Sequence, residues 1–288
     1  GETMSSVRTF TTAAETEAIT NFFIIGDMQG EDAAITAKFS DLMKKSGLTY
    51  SFGIQTGDAI DNPQQYHEWE MLLPIFAENV FGETDVLHVI GNHEVFSGDN
   101  NADKARAIFG SLTDEASGWY SVEYGNVYVA NFGYTLDPEQ MKAALEWLVE
   151  DASKSDCAWK VLAVHVPTYK TNLEQTDSAF YTEYLPAAAK AAGIDFVFSG
   201  HDHSFARTLG ENPADGIVYY TVGTAGNTKY SCSNPGGLFD IAHQDFNAVY
   251  FSVSASENYI AVTAYDVADD GTATIIDYYK KVKTACAE

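Results

Sequence analysis

Apolar residues along this chain come in short bursts that end on glycine and a polar side chain, and the segments between them carry a helical rather than an alternating period. The first burst, Phe22 to Gly26, runs into Asp27 and is followed by Ile35, Phe39, Leu42 and Met43, which share one helical face. Tyr50 to Gln55 precedes Gly57-Asp58, and a helix is predicted to open near Asn62-Pro63, where proline suits a first turn. Asp85 to Ile90 precedes Gly91-Asn92. Strand, loop and helix thus recur in order, which argues for an α/β layered fold.

From Trp119 the pattern changes. Trp119 to Tyr124 and Val127 to Phe132 flank Gly125-Asn126 and predict a β-hairpin. A helix is predicted from Pro138 to about Asp151, a strand from Lys160 to Val164 leading into His165, an Ala-rich helix over roughly Asp177 to Ala192, and a strand from Asp195 to Ser199 leading into Gly200-His201. The last third reads mostly as strand: Gly216 to Val222, Asn247 to Ser254, Tyr259 to Asp266 and Thr274 to Tyr279. There is no linker, repeat or low-complexity run, so a single domain over residues 1–288 is expected, with 1–18 a poorly ordered lead-in.

Composition narrows the picture modestly. With 288 residues, 45% of them apolar and 20% charged, and no unbroken apolar run of roughly 18 or more, the chain is expected to be globular without a membrane span. Its net charge of −25 disfavours a nucleic-acid polymer as partner but not a small phosphorylated substrate, because bound cations reverse the local potential. Cys157, Cys232 and Cys286 lie far apart and allow at most one disulfide. The opening Gly1 to Ser6 shows no intact signal peptide; it reads as the trimmed start of an exported chain or as an added scar.

Five polar clusters follow predicted strands: Asp27-Met28-Gln29, Gly57-Asp58, Gly91-Asn92-His93-Glu94, His165, and Gly200-His201-Asp202-His203. Ligands of open α/β sheets bind outside the carboxyl ends of strands. Taken singly, each cluster has a structural alternative: Gly-Asp as a turn, Asn92 as a helix cap, His165 as a hydrogen-bonded core histidine. Two histidines in Gly200-His201-Asp202-His203 point more firmly to a metal.

This succession resembles the signature of the calcineurin-like metallophosphoesterase superfamily, in which D-x-H, GD, GNH[D/E], a lone His and GHxH occur in order. The resemblance runs from Asp27 to about Asn227. Trp119-Tyr120-Ser121, Trp159 to Leu162, His165-Val166-Pro167 and Gly223 to Asn227 are similar to the purple acid phosphatase branch. What it implies is a four-layer α/β/β/α sandwich with two mixed sheets, holding two divalent or mixed-valence transition metal ions, Mn, Fe or Zn. By the same resemblance Asp58 would bridge the ions, Asp27 and His203 would bind the first, and Asn92, His165 and His201 the second. A metal-bridging hydroxide would attack phosphorus, His93 would protonate the leaving oxygen, and Glu94 would orient His93. Closeness to secreted phosphatases and a low Lys content lean toward export, leaving the cytoplasm open.

The sequence departs from the family at two places. Gln29 stands where D-x-H has histidine, so any ligand there is an amide oxygen, weaker than imidazole. Asp61 stands where purple acid phosphatases supply a tyrosinate, and it reads as a helix-capping or solvated residue. Tyr169, Arg207, Asn227 and Tyr230 follow the ligand loops and are candidates for the substrate cleft, while His67, His88 and His243 read as structural. The expected substrate is a small phosphomonoester. A phosphodiester or nucleotide diphosphate of the ADP-ribose or CDP-alcohol type is the alternative that D-x-Q favours, and a catalytically silent metal-binding module is the alternative of another class.

Overall fold

The computed structural model describes residues 19–29, 33–77, 79–95, 105, 107–108, 118–135, 137–173, 180–209, 215–226 and 228–283. The expected lead-in over 1–18 lies outside them.

Strands β1 (Thr20–Ile25), β2 (Phe52–Gln55) and β3 (Asp85–His88) pair in parallel, and β1 also pairs antiparallel with β11 (Val249–Ala255). With β12 (Tyr259–Val267) and β13 (Ala273–Val282) they form a six-stranded sheet in the order β13-β12-β11-β1-β2-β3. The predicted hairpin forms as β4 (Trp119–Tyr124) and β5 (Val127–Phe132). It belongs to a seven-stranded sheet, β10-β8-β9-β7-β6-β5-β4, with β6 (Trp159–Val164), β7 (Phe196–Ser199) and β9 (Val218–Val222) parallel to β5. Both sheets are mixed. Two strands were not expected from the sequence: β8 (Phe205–Thr208), directly after the His201–His203 cluster, and β10 (Phe239–His243).

Alternation along the strands sorts the core into three apolar layers. Phe22, Ile24, Phe52, Ile54, Phe196, Phe198 and Phe251 lie between the sheets. The residues between them in sequence face the other way: Phe23 and Ile25 meet Phe39 and Met43 of α1 (Ala33–Ser46) and Trp69 and Leu72 of α2 (Tyr66–Ala77). On the far side Tyr128, Leu162 and Val197 meet Met141, Ala144 and Leu148 of α5 (Pro138–Ala152) and Leu185 and Ala189 of α6 (Leu185–Ala191). The result is the expected α/β/β/α sandwich.

Local chemistry sets the helix starts. Asp137 accepts from the N–H groups of Glu139 (2.9 Å) and Gln140 (3.3 Å) with Pro138 in the first turn, satisfying donors that the helix leaves orphaned. Helix α2 begins at Tyr66, after a turn at 63–64 rather than at Asn62-Pro63. Buried Glu68 reaches back from it to accept from Asp61 N–H (2.7 Å) and Asn62 N–H (3.0 Å). The Ala-rich segment opens with a π-helical turn at Phe180–Tyr184 before α6, and its expected start at 177–179 lies outside the described residues. Two shorter helices are α3 (Asn79–Glu83) and α4 (Asn92–Val95). No helix among the described residues is long and apolar enough to cross a membrane. Cys157 and Cys232 are free thiols, and Cys286 lies outside the described residues.

Candidate metal centre

All five clusters stand where parallel strands end, from β1, β2 and β3 of one sheet and β6 and β7 of the other. Among the described residues, those other than glycine with left-handed backbone are Asp27 (φ 48°), Gln29 (42°), Asp58 (52°), His201 (67°) and His203 (47°). That conformation costs a side-chain-bearing residue about 1 kcal/mol or more and persists where surrounding structure enforces it. Here the enforcement is visible. Asp27 N–H donates to Gly57 O (3.0 Å), Gln29 N–H to Asp58 O (3.1 Å), Ala225 N–H to Gly26 O (2.7 Å) and Thr224 Oγ1 to Asp27 O (2.6 Å). A Cβ on Gly200 would fall 2.2 Å from Asp27 Oδ2, so only glycine lets the two sheets' loops meet this closely.

The loops bring two groups of donors together. Asp58, His165 and His201 each offer an atom within 4.8 Å of the others, and so do Asp27, Asp58 and His203, so Asp58 is common to both. Asn92 joins the first group: its Oδ1 lies 2.9 Å from both His165 Nε2 and His201 Nδ1. His165 Nε2 is also 3.1 Å from Asp58 Oδ2, and His203 Nε2 is 3.3 Å from Asp27 Oδ1. His201 N–H donates to the same Asp27 oxygen (2.8 Å), and His93 N–H donates to Asp58 Oδ1 (2.9 Å).

Partners outside the groups set the ring orientations. His165 Nδ1 faces Thr56 O at 2.9 Å and His203 Nδ1 faces Thr228 O at 2.9 Å. A carbonyl only accepts, so both Nδ1 atoms carry the proton and both Nε2 atoms turn a lone pair inward when the rings are neutral. The lone pairs then meet Asn92 Oδ1 and carboxylate oxygens, all acceptors, while buried Asp27 Oδ2 has no hydrogen-bond partner among the described residues. Acceptors converging on acceptors call for a cation, and a mixed oxygen and imidazole set suits Mn, Fe or Zn. Without one, a proton takes the position: burial disfavours a charged His165, but the Asp58 carboxylate overrides it and pushes its pKa up to about 10. Burial likewise opposes ionised Asp58, and the facing His165 carries its pKa down to about 2.

His93 lies at the rim. Its Nδ1 donates to Asp61 O (2.8 Å) and is 3.1 Å from Asp61 Oδ1, and its Nε2 is 3.8 Å from Asp58 Oδ2. The sequence-based expectation that Glu94 orients His93 is therefore corrected. Glu94 is buried and accepts from the backbone N–H groups of Gly91 (2.7 Å), Asp58 (3.0 Å), Ala59 (2.8 Å) and Ile60 (3.3 Å), lacing the β2 loop to the β3 loop. Burial, reinforced by the Asp58 charge, pushes its pKa up to about 7. Asp61, read from the sequence as a cap or solvated residue, contacts the imidazole through its backbone O and its carboxylate.

Of the substrate-cleft candidates, Tyr230 is at the centre, stacked on His203 with ring centroids 4.4 Å apart and planes 20° from parallel. Burial and the charges of Asp27, Asp58 and Asp61 push its phenol pKa up. Arg207 is not in a cleft: its guanidinium is spent on Asp277 (2.8 Å) and Asp240 (2.7 Å) and lies 4.9 Å over the Tyr279 ring. Tyr169 packs edge-on to Tyr219 (4.9 Å) in the layer beneath the helices. Asn227 lies outside the described residues. Gln29 is tied to the centre through its backbone bond to Asp58.

Paired mixed sheets whose facing loops converge on a shared aspartate define the class as a metallophosphoesterase-type sandwich. The family model described as calcineurin-like phosphoesterase matches residues 20–205, and the chain belongs to that family. Purple acid phosphatase 18 of Arabidopsis thaliana is 30% identical over 119 residues, 38% of this chain and 27% of that protein. Purple acid phosphatase 15 of the same plant is 25% identical over 168 residues, 54% of this chain and 32% of that protein. The match thus spans about a third or less of these curated relatives. In fold, the chain is similar to purple acid phosphatase PPD1 from yellow lupin seeds, with TM-score 0.75 and 15% identity over 92% of this chain and 54% of that one. It is also similar to GAP50, the anchor in the inner membrane complex of Plasmodium, with TM-score 0.67 and 16% identity over 94% and 91%.

Proposed function

We propose that this chain is a binuclear metal-dependent phosphoesterase acting on a small phosphomonoester. The observation that carries the reading is the shared position of Asp58 between two groups of donors, all buried but the half-buried His201. Asp27, Asp58 and His203 would hold one ion, and Asp58, Asn92, His165 and His201 the other, with Gln29 placed to add an amide oxygen to the first. When bound, the ions would supply charge neutralisation at the phosphoryl oxygens and a nucleophilic water near neutral pH.

The chain's own residues supply the rest. Thr56 and Thr228 carbonyls orient the His165 and His203 rings. His93 keeps its Nδ1 proton on Asp61 O and turns Nε2 toward Asp58, where it would meet a leaving oxygen. A proton held at Nε2 passes to that oxygen as the P–O bond breaks, and the ring is left neutral with Asp61 still accepting from Nδ1. An extracytoplasmic location goes with this reading, supported by the likeness to purple acid phosphatases.

The test uses manganese-loaded protein with p-nitrophenyl phosphate, its bis ester and ADP-ribose. Turnover is expected to be fastest on the monoester, and His93→Asn is expected to lower kcat about a hundredfold or more with metal content unchanged. Metal binding without turnover on any of the three would instead make the chain a binding module.

A further inference from the structure

After β9, residues 228–233 are anchored at two points. At one end Thr228 O accepts from His203 Nδ1 (2.9 Å). At the other, Ser233 donates to Thr171 O through both N–H (3.0 Å) and Oγ (2.7 Å). Thr171 is itself fixed, because its N–H (2.7 Å) and Oγ1 (3.0 Å) donate to the buried carboxylate of Asp202, which also accepts from Asn172 N–H (3.0 Å). The residue between the two histidines of the Gly200–His203 cluster therefore anchors the far end of the loop. Tyr230 lies between the anchors, stacked on the ligand-ready ring of His203. Its neighbour Lys229 lies over the Phe246 ring at 5.6 Å.

A phosphoryl group brings acceptor oxygens, whereas Asp27, Asp58, Asn92 Oδ1 and the inward nitrogens of His165 and His203 are acceptors too. Besides cations, such a group needs O–H or N–H donors, and Arg207 is committed to Asp277 and Asp240 elsewhere. His93 is assigned to the leaving oxygen. Stacked on His203, the half-buried ring of Tyr230 lies beside the Asp27 and His203 donors, and a phenol O–H can donate. We propose that Tyr230 contacts the substrate directly, its hydroxyl donating to a non-bridging phosphoryl oxygen while its ring, braced on His203, fixes the direction of that bond. The assignment rests on the phosphoesterase reading above.

The experiment measures inorganic phosphate binding to manganese-loaded protein by calorimetry, for wild type, Tyr230→Phe and Tyr230→Leu, alongside metal content and thermal midpoint. Tyr230→Phe keeps the stacked ring and is expected to weaken phosphate about tenfold, as loss of a charge-assisted hydrogen bond does, with metal content and midpoint as in wild type. Unchanged phosphate binding in Tyr230→Phe would overturn the assignment alone, and metal loss in Tyr230→Leu would then make the ring a prop for His203. Failure of the wild-type loaded protein to bind phosphate would overturn both this assignment and the phosphoesterase reading.

Discussion

Glu94 and Asp61 exchange the duties that their positions in the sequence suggest. Adjacency to His93 makes Glu94 look like its partner, but successive residues on a helical turn point in different directions, and the carboxylate turns inward to four backbone N–H groups. Those bonds tie together the two loops that carry Asp58 and Asn92. In Glu94→Gln an amide NH2 must face backbone donors, so urea denaturation is expected to show a loss of about 2 kcal/mol. A loss of turnover without any loss of stability would restore the role of orienting His93. Arg207 carries a related lesson. Its place after the His201–His203 cluster suggests a cleft, yet in β8 it shares a face with Phe205, which packs between the sheets, and that alternation sends its side chain to Asp277 and away from the metal groups. The left-handed backbone of Asp27, Gln29, Asp58, His201 and His203 is a property that no sequence pattern displays, since neighbouring loops impose it.

Elements were legible where a local signal marked both ends. The hairpin across Gly125-Asn126 and the helix capped by Asp137-Pro138 fall where the sequence places them, because turn and cap chemistry are encoded within a few residues. Strands β8 and β10 were missed for the opposite reason. Phe205–Thr208 is four residues long and interrupts its apolar run with arginine, and its strand character comes from pairing with β9 and β10. The candidate centre was legible almost in full because six of its donors sit in strand-end clusters of distinctive composition. What supports the donors was not, since Thr56 and Thr228 act through backbone carbonyls that any residue type could supply.

For the whole molecule, net charge and burial pull stability in opposite directions as pH falls. Moving from neutral toward the sequence pI of about 4.4 relieves the self-repulsion of −25 charges. Against that, burial beside Phe76 pushes the pKa of His88 down to about 3 from the ordinary 6.5. Above 6.5 the ring is neutral in both states and costs nothing. Below it the unfolded chain takes up a proton that the folded chain refuses, so stability is lost as pH drops through 6.5 toward 3. Between pH 6.5 and 5 this amounts to about 2 kcal/mol. Urea denaturation of His88→Phe is expected to show a shallower decline than wild type over that interval, and parallel declines would contradict the assignment.

All of the chemistry proposed depends on cations being held by residues that the two sheets bring together from Asp27 to His203. Anomalous scattering from crystals of manganese-loaded protein tests this most directly. Two peaks about 3.5 to 4 Å apart are predicted, one against Asp27 and His203, the other against Asn92, His165 and His201, with Asp58 between them. A lone peak away from Asp58, or no peak in this cleft, would contradict the account.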